Sequence, residues 1–190
     1  MKVRESGMPD ERMWEGFFDP PHILKQLDFI ESTKDVVEFG CGYGTFTLPA
    51  AALTSGTVYA IDIEPQMIEA TARKVRGLGL RNVQLLMRDF VTAGTGLLDA
   101  SVGSVMLFNI LHAEQPLPLV RESFRILSQA GRIAVMHWIH DPSTPRGPDL
   151  SIRPRPEQCQ TWLRDCGFEL LKPFVSLPPY HYGIVGQKPG

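Results

Sequence analysis

The stretch Val37-Glu38-Phe39-Gly40-Cys41-Gly42-Tyr43-Gly44-Thr45 sets a carboxylate two residues ahead of three alternating glycines. Glycines in such a run let a chain turn sharply at a strand end and let a ligand approach bare backbone. Nucleotide-binding loops use the same device, so spacing and charge must separate the readings. The dinucleotide fingerprint is GxGxxG; this loop runs GxGxG and carries Thr45 at the sixth position. The lysine and Ser/Thr of a phosphate loop are absent. Glu38 would repel a pyrophosphate, which needs helix N–H groups and positive charge. A cationic ligand suits it.

Two more acids follow at the ends of apolar runs. Asp62 closes the next strand, where a carboxylate can accept hydrogen bonds from both hydroxyls of a ribose. Asp89 closes the third, in Arg88-Asp89-Phe90. Asp89 is either the acceptor for an adenine amino group, with Phe90 packed beside the ring, or an ordinary loop aspartate. Ile63 and Met67 either line the ring's faces or belong to the core at a helix start. Glu38, Asp62 and Asp89 would share one edge of a parallel sheet, the edge at which such folds bind ligands. S-adenosylmethionine, a nucleoside with an ammonium and a sulfonium, has the charge that this edge asks for.

The elements that must position these residues alternate. Strands are predicted at Val36–Phe39, Thr57–Ile61, Val83–Met87, Val102–Phe108 and Arg132–Trp138, with helices over Phe46–Leu53, Pro65 to about Arg76, and Leu117–Leu127. Strands apolar almost throughout imply a parallel sheet covered on both faces. Before them, Asp19-Pro20-Pro21 reads as a helix start, with Ile23, Leu24, Leu27 and Ile30 on one face. Met1–Phe18 is mixed and polar, without clear periodicity. After them, Asp141–Pro156 reads as a loop and Glu157–Cys166 as a helix closed by Gly167. Phe168–Val175 and Tyr180–Gln187 are two final strands, joined too closely for a crossover helix and hence antiparallel.

Composition sets bounds. The 190 residues have room for one domain, read as an N-terminal lid and helix over 1–34 and a single α/β domain over 35–190. A net charge of −2 supplies no basic field for a nucleic-acid backbone or an anionic membrane, so a small-molecule partner is expected. Cys41, Cys159 and Cys166 lack CxxC spacing and read as reduced thiols rather than a zinc site or disulfide frame. With no apolar run near the length of a membrane span and no signal-peptide pattern at the start, the expectation is a cytoplasmic protein.

From Val36 to about Trp138 the chain resembles the class I methyltransferases, in the broad group that includes the ubiquinone/menaquinone-type enzymes. The matching pieces are the Glu38-x-Gly40-x-Gly42-x-Gly44 loop, Tyr59-Ala60-Ile61-Asp62-Ile63 with Met67, Arg88-Asp89-Phe90, and Asn109-Ile110-Leu111-His112. The resemblance implies a Rossmann-like seven-stranded sheet of order 3-2-1-4-5-7-6 with strand 7 antiparallel. It also implies S-adenosylmethionine as cofactor, with contacts at Glu38, Gly40, Gly42, Gly44, Asp62, Ile63, Met67, Asp89, Phe90 and Asn109. The implied activity is methyl transfer to a small molecule by in-line displacement.

In-line displacement needs alignment and exclusion of water, and a base only if the nucleophile carries a proton. The catalytic candidates flank the cofactor edge: His112 after the fourth strand, and Tyr180 and His181 in the final hairpin. A capping or otherwise structural role is equally open to His112. His137 and His140, three apart near a strand end, are two ligands without a third, and no metal is expected. Leu177-Pro178-Pro179-Tyr180 reads as a rigid turn. Trp14, Phe17 and Phe18 either cover the acceptor or staple the first helix to the core. Cys159 and Cys166 read as buried cysteines, a thiol-bound metalloid acceptor being the other option. Two rivals remain: a non-catalytic binding module that keeps the cofactor pocket, and a nicotinamide or flavin oxidoreductase. Acceptor and oligomeric state are not legible.

Overall fold

Strands that are apolar on both faces require cover on both, and the computed structural model, which describes residues 8–29 and 34–190, shows that cover. Seven strands form one sheet: β1 (Val36–Phe39), β2 (Val58–Asp62), β3 (Val83–Met87), β4 (Val102–Phe108), β5 (Leu127–Trp138), β6 (Glu169–Leu177) and β7 (His181–Gln187). Their order is β3-β2-β1-β4-β5-β7-β6. Neighbours from β3 to β5 pair in parallel, and β7 runs antiparallel to both β5 and β6. The helices are α1 (Glu11–Glu15), α2 (Pro20–Gln26), α3 (Thr47–Leu53), α4 (Pro65–Gly77), α5 (Phe90–Ala93), α6 (Pro116–Ile126) and α7 (Pro156–Asp165). None among the described residues is long and apolar enough to cross a membrane.

Alternate strand residues point to opposite faces, and the core divides accordingly. Val37, Phe39, Val105 and Leu107 pack with Leu119 and Ile126 of α6 and Leu163 of α7. Val36, Met106 and Phe108 pack on the other face with Leu24 of α2 and Ala50 of α3. At seven residues α2 is too short to sustain itself in water. It is held by burial of Ile23 and Leu24, with Leu27 buried at its C-cap; each such side chain contributes roughly 1.5–3 kcal/mol. Asp19 accepts the His22 N–H at 3.2 Å and Pro20 fills the first turn, as the sequence predicts. Ile30, expected on the same face, lies outside the described residues.

The remaining departures have local causes. The stretch before Phe18 contains α1, capped by Asp10 through the Met13 N–H at 3.1 Å; five residues are too few to show a period. Asp89 caps a further short helix, α5. β5 begins at Leu127 rather than Arg132, because Ala130, with φ of 58°, accommodates an irregularity opposite Val102–Ser104. The final hairpin turns at Pro178–Tyr180, so Ser176 and Leu177 belong to β6 and Tyr180 leaves β7. The loop after β5 contains a single 3-10 turn at Leu150–Ile152.

Candidate functional site

A cavity of about 780 Å³ opens at the carboxyl ends of β1, β2 and β4, within the 300–1,000 Å³ range of small-molecule sites. Its floor is the glycine loop. The N–H groups of Gly40 and Cys41 both donate to the Ile61 carbonyl, at 2.8 and 3.0 Å, and fold the chain over the tip of β2. Gly40 and Gly42 have φ of 75° and 52°, a region that costs an L side chain about 1–2 kcal/mol. Both line the cavity. Gly44 does not: a Cβ there would stand 2.9 Å from Thr71 Cγ2, so this glycine serves close packing against α4.

Three polar groups on this floor are already oriented. Glu38 is buried and accepts a hydrogen bond from Thr47 Oγ1 at the start of α3. Burial pushes its carboxyl up to about 8, partly offset by the Thr47 bond and reinforced by the charge of Asp62. Asp62 accepts the Gly42 N–H on Oδ2 and the Glu64 N–H on Oδ1, each at 2.9 Å. Burial raises its carboxyl too, against those two bonds. Asp89 receives the Val91 and Thr92 N–H groups on Oδ1, at 3.1 and 3.2 Å, so the loop aspartate is a helix cap that also lines the cavity.

Asn109 follows β4 with φ of 54°, an uncommon conformation that asparagine tolerates better than most. Among the described residues neither of its buried side-chain polar atoms has a partner, and neither does Thr45 Oγ1. Both residues line the cavity. Buried polar atoms in this state cost stability unless something else satisfies them. A buried carboxyl that a cation would ionise, two polar side chains without partners among the described residues and left-handed bare backbone fit a ligand that has a cationic end and several hydrogen-bonding groups.

Ile63 and Phe90 also line the cavity, with Phe90 edge-on to Phe39 at 5.3 Å. Met67 is buried in α4 and does not reach it. The lining also includes the aromatic side chains of Trp14, Phe46, Phe108 and Trp138, together with Pro145–Pro148. Trp14 arrives on α1, whose Glu11 and Glu15 pair with Lys74 of α4 at 2.5 and 2.8 Å. The preceding residue Pro9 accepts the Tyr43 hydroxyl at 2.9 Å. Phe17 and Phe18 pack against Trp138 and, unlike Trp14, do not line the cavity.

His112 lines the cavity, but Tyr180 and His181 do not. Tyr180 stacks on Trp138 at 6.1 Å, and the buried His181 ring lies 4.3 Å from Trp138 and 4.8 Å from Phe18. Burial carries His181 down to about 3. Trp138 stands where the acceptor-facing hairpin residues were expected. His140 donates from Nε2 to the Leu150 carbonyl at 3.0 Å and ties down the loop. Cys159 is buried beside the Tyr182 hydroxyl, and Cys166 is half-buried.

Sequence reasoning missed Thr47, Trp138 and Arg153. Thr47 lies one short turn past the glycines and was open to detection as a partner for Glu38. Arg153 carried no local signal: its buried guanidinium donates to the Ile139 carbonyl, Thr144 Oγ1 and the Pro148 carbonyl, at 2.8, 2.6 and 2.8 Å, gathering the loop that closes the cavity.

Residues 36–131 match the family described as a methyltransferase domain. The aklanonic acid methyltransferase DauC of Streptomyces sp. (strain C5) is 33% identical over 135 residues, which are 68% of this chain and 60% of that protein. The ribosomal protein L11 methyltransferase of Legionella pneumophila (strain Corby) is 30% identical over 122 residues, 64% of this chain and 39% of that protein. The chain thus spans less than two thirds of the length of these curated relatives. A crystal structure of a SAM dependent methyltransferase from Aquifex aeolicus superimposes with a TM-score of 0.82 at 25% identity, covering 94% of this chain and 93% of that one.

Proposed function

The chain belongs to the methyltransferase-domain family, and on that premise we propose that it is an enzyme transferring a methyl group from S-adenosylmethionine to a small-molecule acceptor by in-line displacement. One observation carries this reading: the buried carboxyl of Glu38 shares a cavity with the orphaned side chains of Asn109 and Thr45. That set suits an ammonium and a sulfonium and disfavours a diphosphate.

When bound, S-adenosylmethionine supplies an electrophilic methyl group on a positively charged sulfur. The residues divide the work of holding it. Glu38 and the backbone of Gly40 and Gly42 take the methionine end, and Asn109 adds hydrogen bonds there. Asp62, oriented by two backbone N–H groups, accepts from the ribose hydroxyls. Asp89, Ile63 and Phe90 hold the adenine. Gly44 and Met67 act behind them through packing. The wall of Trp14, Phe46, Phe108 and Trp138 excludes water and aligns the acceptor, which is where most of the rate of such a displacement arises.

A flat, largely apolar acceptor fits that wall, and the likeness to a methyltransferase named for aklanonic acid supports a small molecule. The likeness to a ribosomal protein L11 methyltransferase supplies the rival, a protein acceptor. A cavity closed by Trp14 and Pro145–Pro148 favours the smaller partner. Three free cysteines accord with the reducing environment of the cytoplasm, where we expect the enzyme to act.

Calorimetry with S-adenosylmethionine, S-adenosylhomocysteine and NADH tests the reading. Binding of the first two and not the third is expected; binding of NADH alone overturns it. A panel of aromatic and polyketide-like acids and phenols, with S-adenosylhomocysteine release as readout, then separates an enzyme from a binding module.

A further inference from the structure

Helix α1 is held against the cavity by a residue that does not line it. Met8 and Pro9, ahead of the helix, and Trp14 within it are lining residues, and a Cβ at Gly42 would stand 3.2 Å from Met8 Cε. A ligand seated on the bare backbone of Gly40 and Gly42 therefore meets this arm as well as the sheet. Yet the arm has little to hold itself in place. A helix of five residues is too short to persist alone, and α1 buries none of its own side chains. Its anchor lies past one end. Phe17 packs edge-on to Trp138 at 5.2 Å, and Phe18 lies 5.4 Å from Phe46 and 4.8 Å from His181.

The rest of the arm is tied to the glycine loop and to α4. The Tyr43 hydroxyl donates to the Pro9 carbonyl at 2.9 Å. Lys74 Nζ stands 2.5 Å from Glu11 Oε1 and 2.8 Å from Glu15 Oε1, spanning the two ends of α1. Like charges four residues apart disfavour a helix, so the ammonium between these acids turns a repulsion into a tie. Its support is firm: one turn earlier on α4, Thr71 Oγ1 donates to the Gly42 carbonyl at 2.8 Å. Lys74 thus joins the arm to the same helix that locks the loop.

Resting on the methyltransferase reading, we infer that Lys74 is a positioning residue: by clamping Glu11 and Glu15 to α4, it keeps Met8, Pro9 and Trp14 on the bound S-adenosylmethionine and slows its release. The side chains of the two acids are 40% and 51% exposed. Exposed ion pairs are weak and fade with salt, so the clamp opens and closes readily.

Stopped-flow tryptophan fluorescence with S-adenosylhomocysteine, on the whole protein, reads association and release separately. Lys74→Met should speed release about fivefold, the scale of two exposed pairs, and leave association within about twofold. Lys74→Arg keeps both pairs and should stay near the parent. Lys74→Glu should release quickly, and adding Glu11→Lys and Glu15→Lys should restore slow release by reversing every charge. A lysine that merely stabilises α4 gives no such rescue. Salt raised from about 0.05 to about 1 M should speed release from the parent more than from Lys74→Met. Hydrogen exchange over residues 10–16 should quicken in Lys74→Met, with residues 36–39 unchanged. Unaltered release in Lys74→Met, or no rescue on charge reversal, overturns the proposal. Calorimetry with S-adenosylmethionine separates the levels: binding with unmoved release rates removes this inference alone, and no binding removes the reading beneath it.

Discussion

The Gly42 N–H donates to Asp62 Oδ2 across 2.9 Å, so the glycine loop after β1 and the tip of β2 form one hydrogen-bonded unit. Thr71 Oγ1 locks the same peptide from the other side by donating to the Gly42 carbonyl at 2.8 Å. The carboxylate proposed to read the ribose thus also shapes the loop proposed to hold the methionine end. Asp62→Ala should therefore weaken S-adenosylmethionine binding by about a hundredfold, since hydrogen bonds to a charged group contribute roughly 1.5–3 kcal/mol each. It should also lower the melting temperature without ligand. Asp62→Asn keeps one acceptor and should fall between. Calorimetry and thermal melts measure both effects, and unchanged affinity in the alanine variant would remove Asp62 from the ribose site.

Glu38 makes affinity and stability respond to pH in opposite directions. Its carboxyl is raised from 4.5 to about 8 in the fold, chiefly by burial. The native state therefore keeps a proton that the unfolded chain releases, and stability falls as pH rises from about 5 to 8. A cationic ligand favours the ionised form, so affinity for S-adenosylmethionine should rise between pH 6 and 7.5, with a proton released on binding. Glu38→Gln retains an acceptor for Thr47 and removes the buried acid. It should melt higher at pH 7.5, by an amount on the order of 2 kcal/mol, and bind S-adenosylmethionine more weakly. Calorimetry in buffers of different ionisation enthalpy counts the proton.

Asn109 separates cofactor binding from fold in a second way. Its φ of 54° and two orphaned polar atoms both cost stability in the free protein. Asn109→Gly relieves the backbone at roughly 1 kcal/mol and removes the buried amide. The expected variant melts higher alone, gains less from added S-adenosylmethionine, and turns over more slowly. A variant that melts lower in both conditions would mean that the side chain holds the fold rather than the ligand.

The sheet and the acidic edge were legible because each rests on short-range rules. Apolar runs with no polar face require two-sided cover, and a glycine loop with the acid Glu38 ahead of it departs from the dinucleotide fingerprint in spacing and in side-chain type. What escaped depends on contacts between distant segments. The His112–His137 pair joins residues from two strand ends, and Trp138 displaces Tyr180 and His181 from the cavity because the turn lies later than the sequence suggests. Helices α1 and α5, at five and four residues, are shorter than any periodicity can register. The role of Gly44 was assigned to the ligand when the space it preserves belongs to Thr71.

Arg153 predicts how the acceptor side can be altered without touching the cofactor side. The residue is 7% exposed, and its donors reach carbonyls at Ile139 and Pro148 and the hydroxyl of Thr144. These bonds fix the backbone leading to Pro145–Pro148, which line the cavity. Lysine cannot reproduce such a set, because its ammonium is a single point on a flexible stem while the guanidinium is a planar fork. Arg153→Lys should leave several carbonyls without a donor and loosen residues 141–155. Hydrogen exchange in that segment should quicken at least tenfold, with exchange across β1 and β2 unchanged. Affinity for S-adenosylmethionine should stay within about twofold of the parent, and KM for the acceptor should rise, because the wall that aligns it has lost its brace. Equal losses in cofactor affinity and acceptor KM would show that the loop braces the whole cavity and not one half of it.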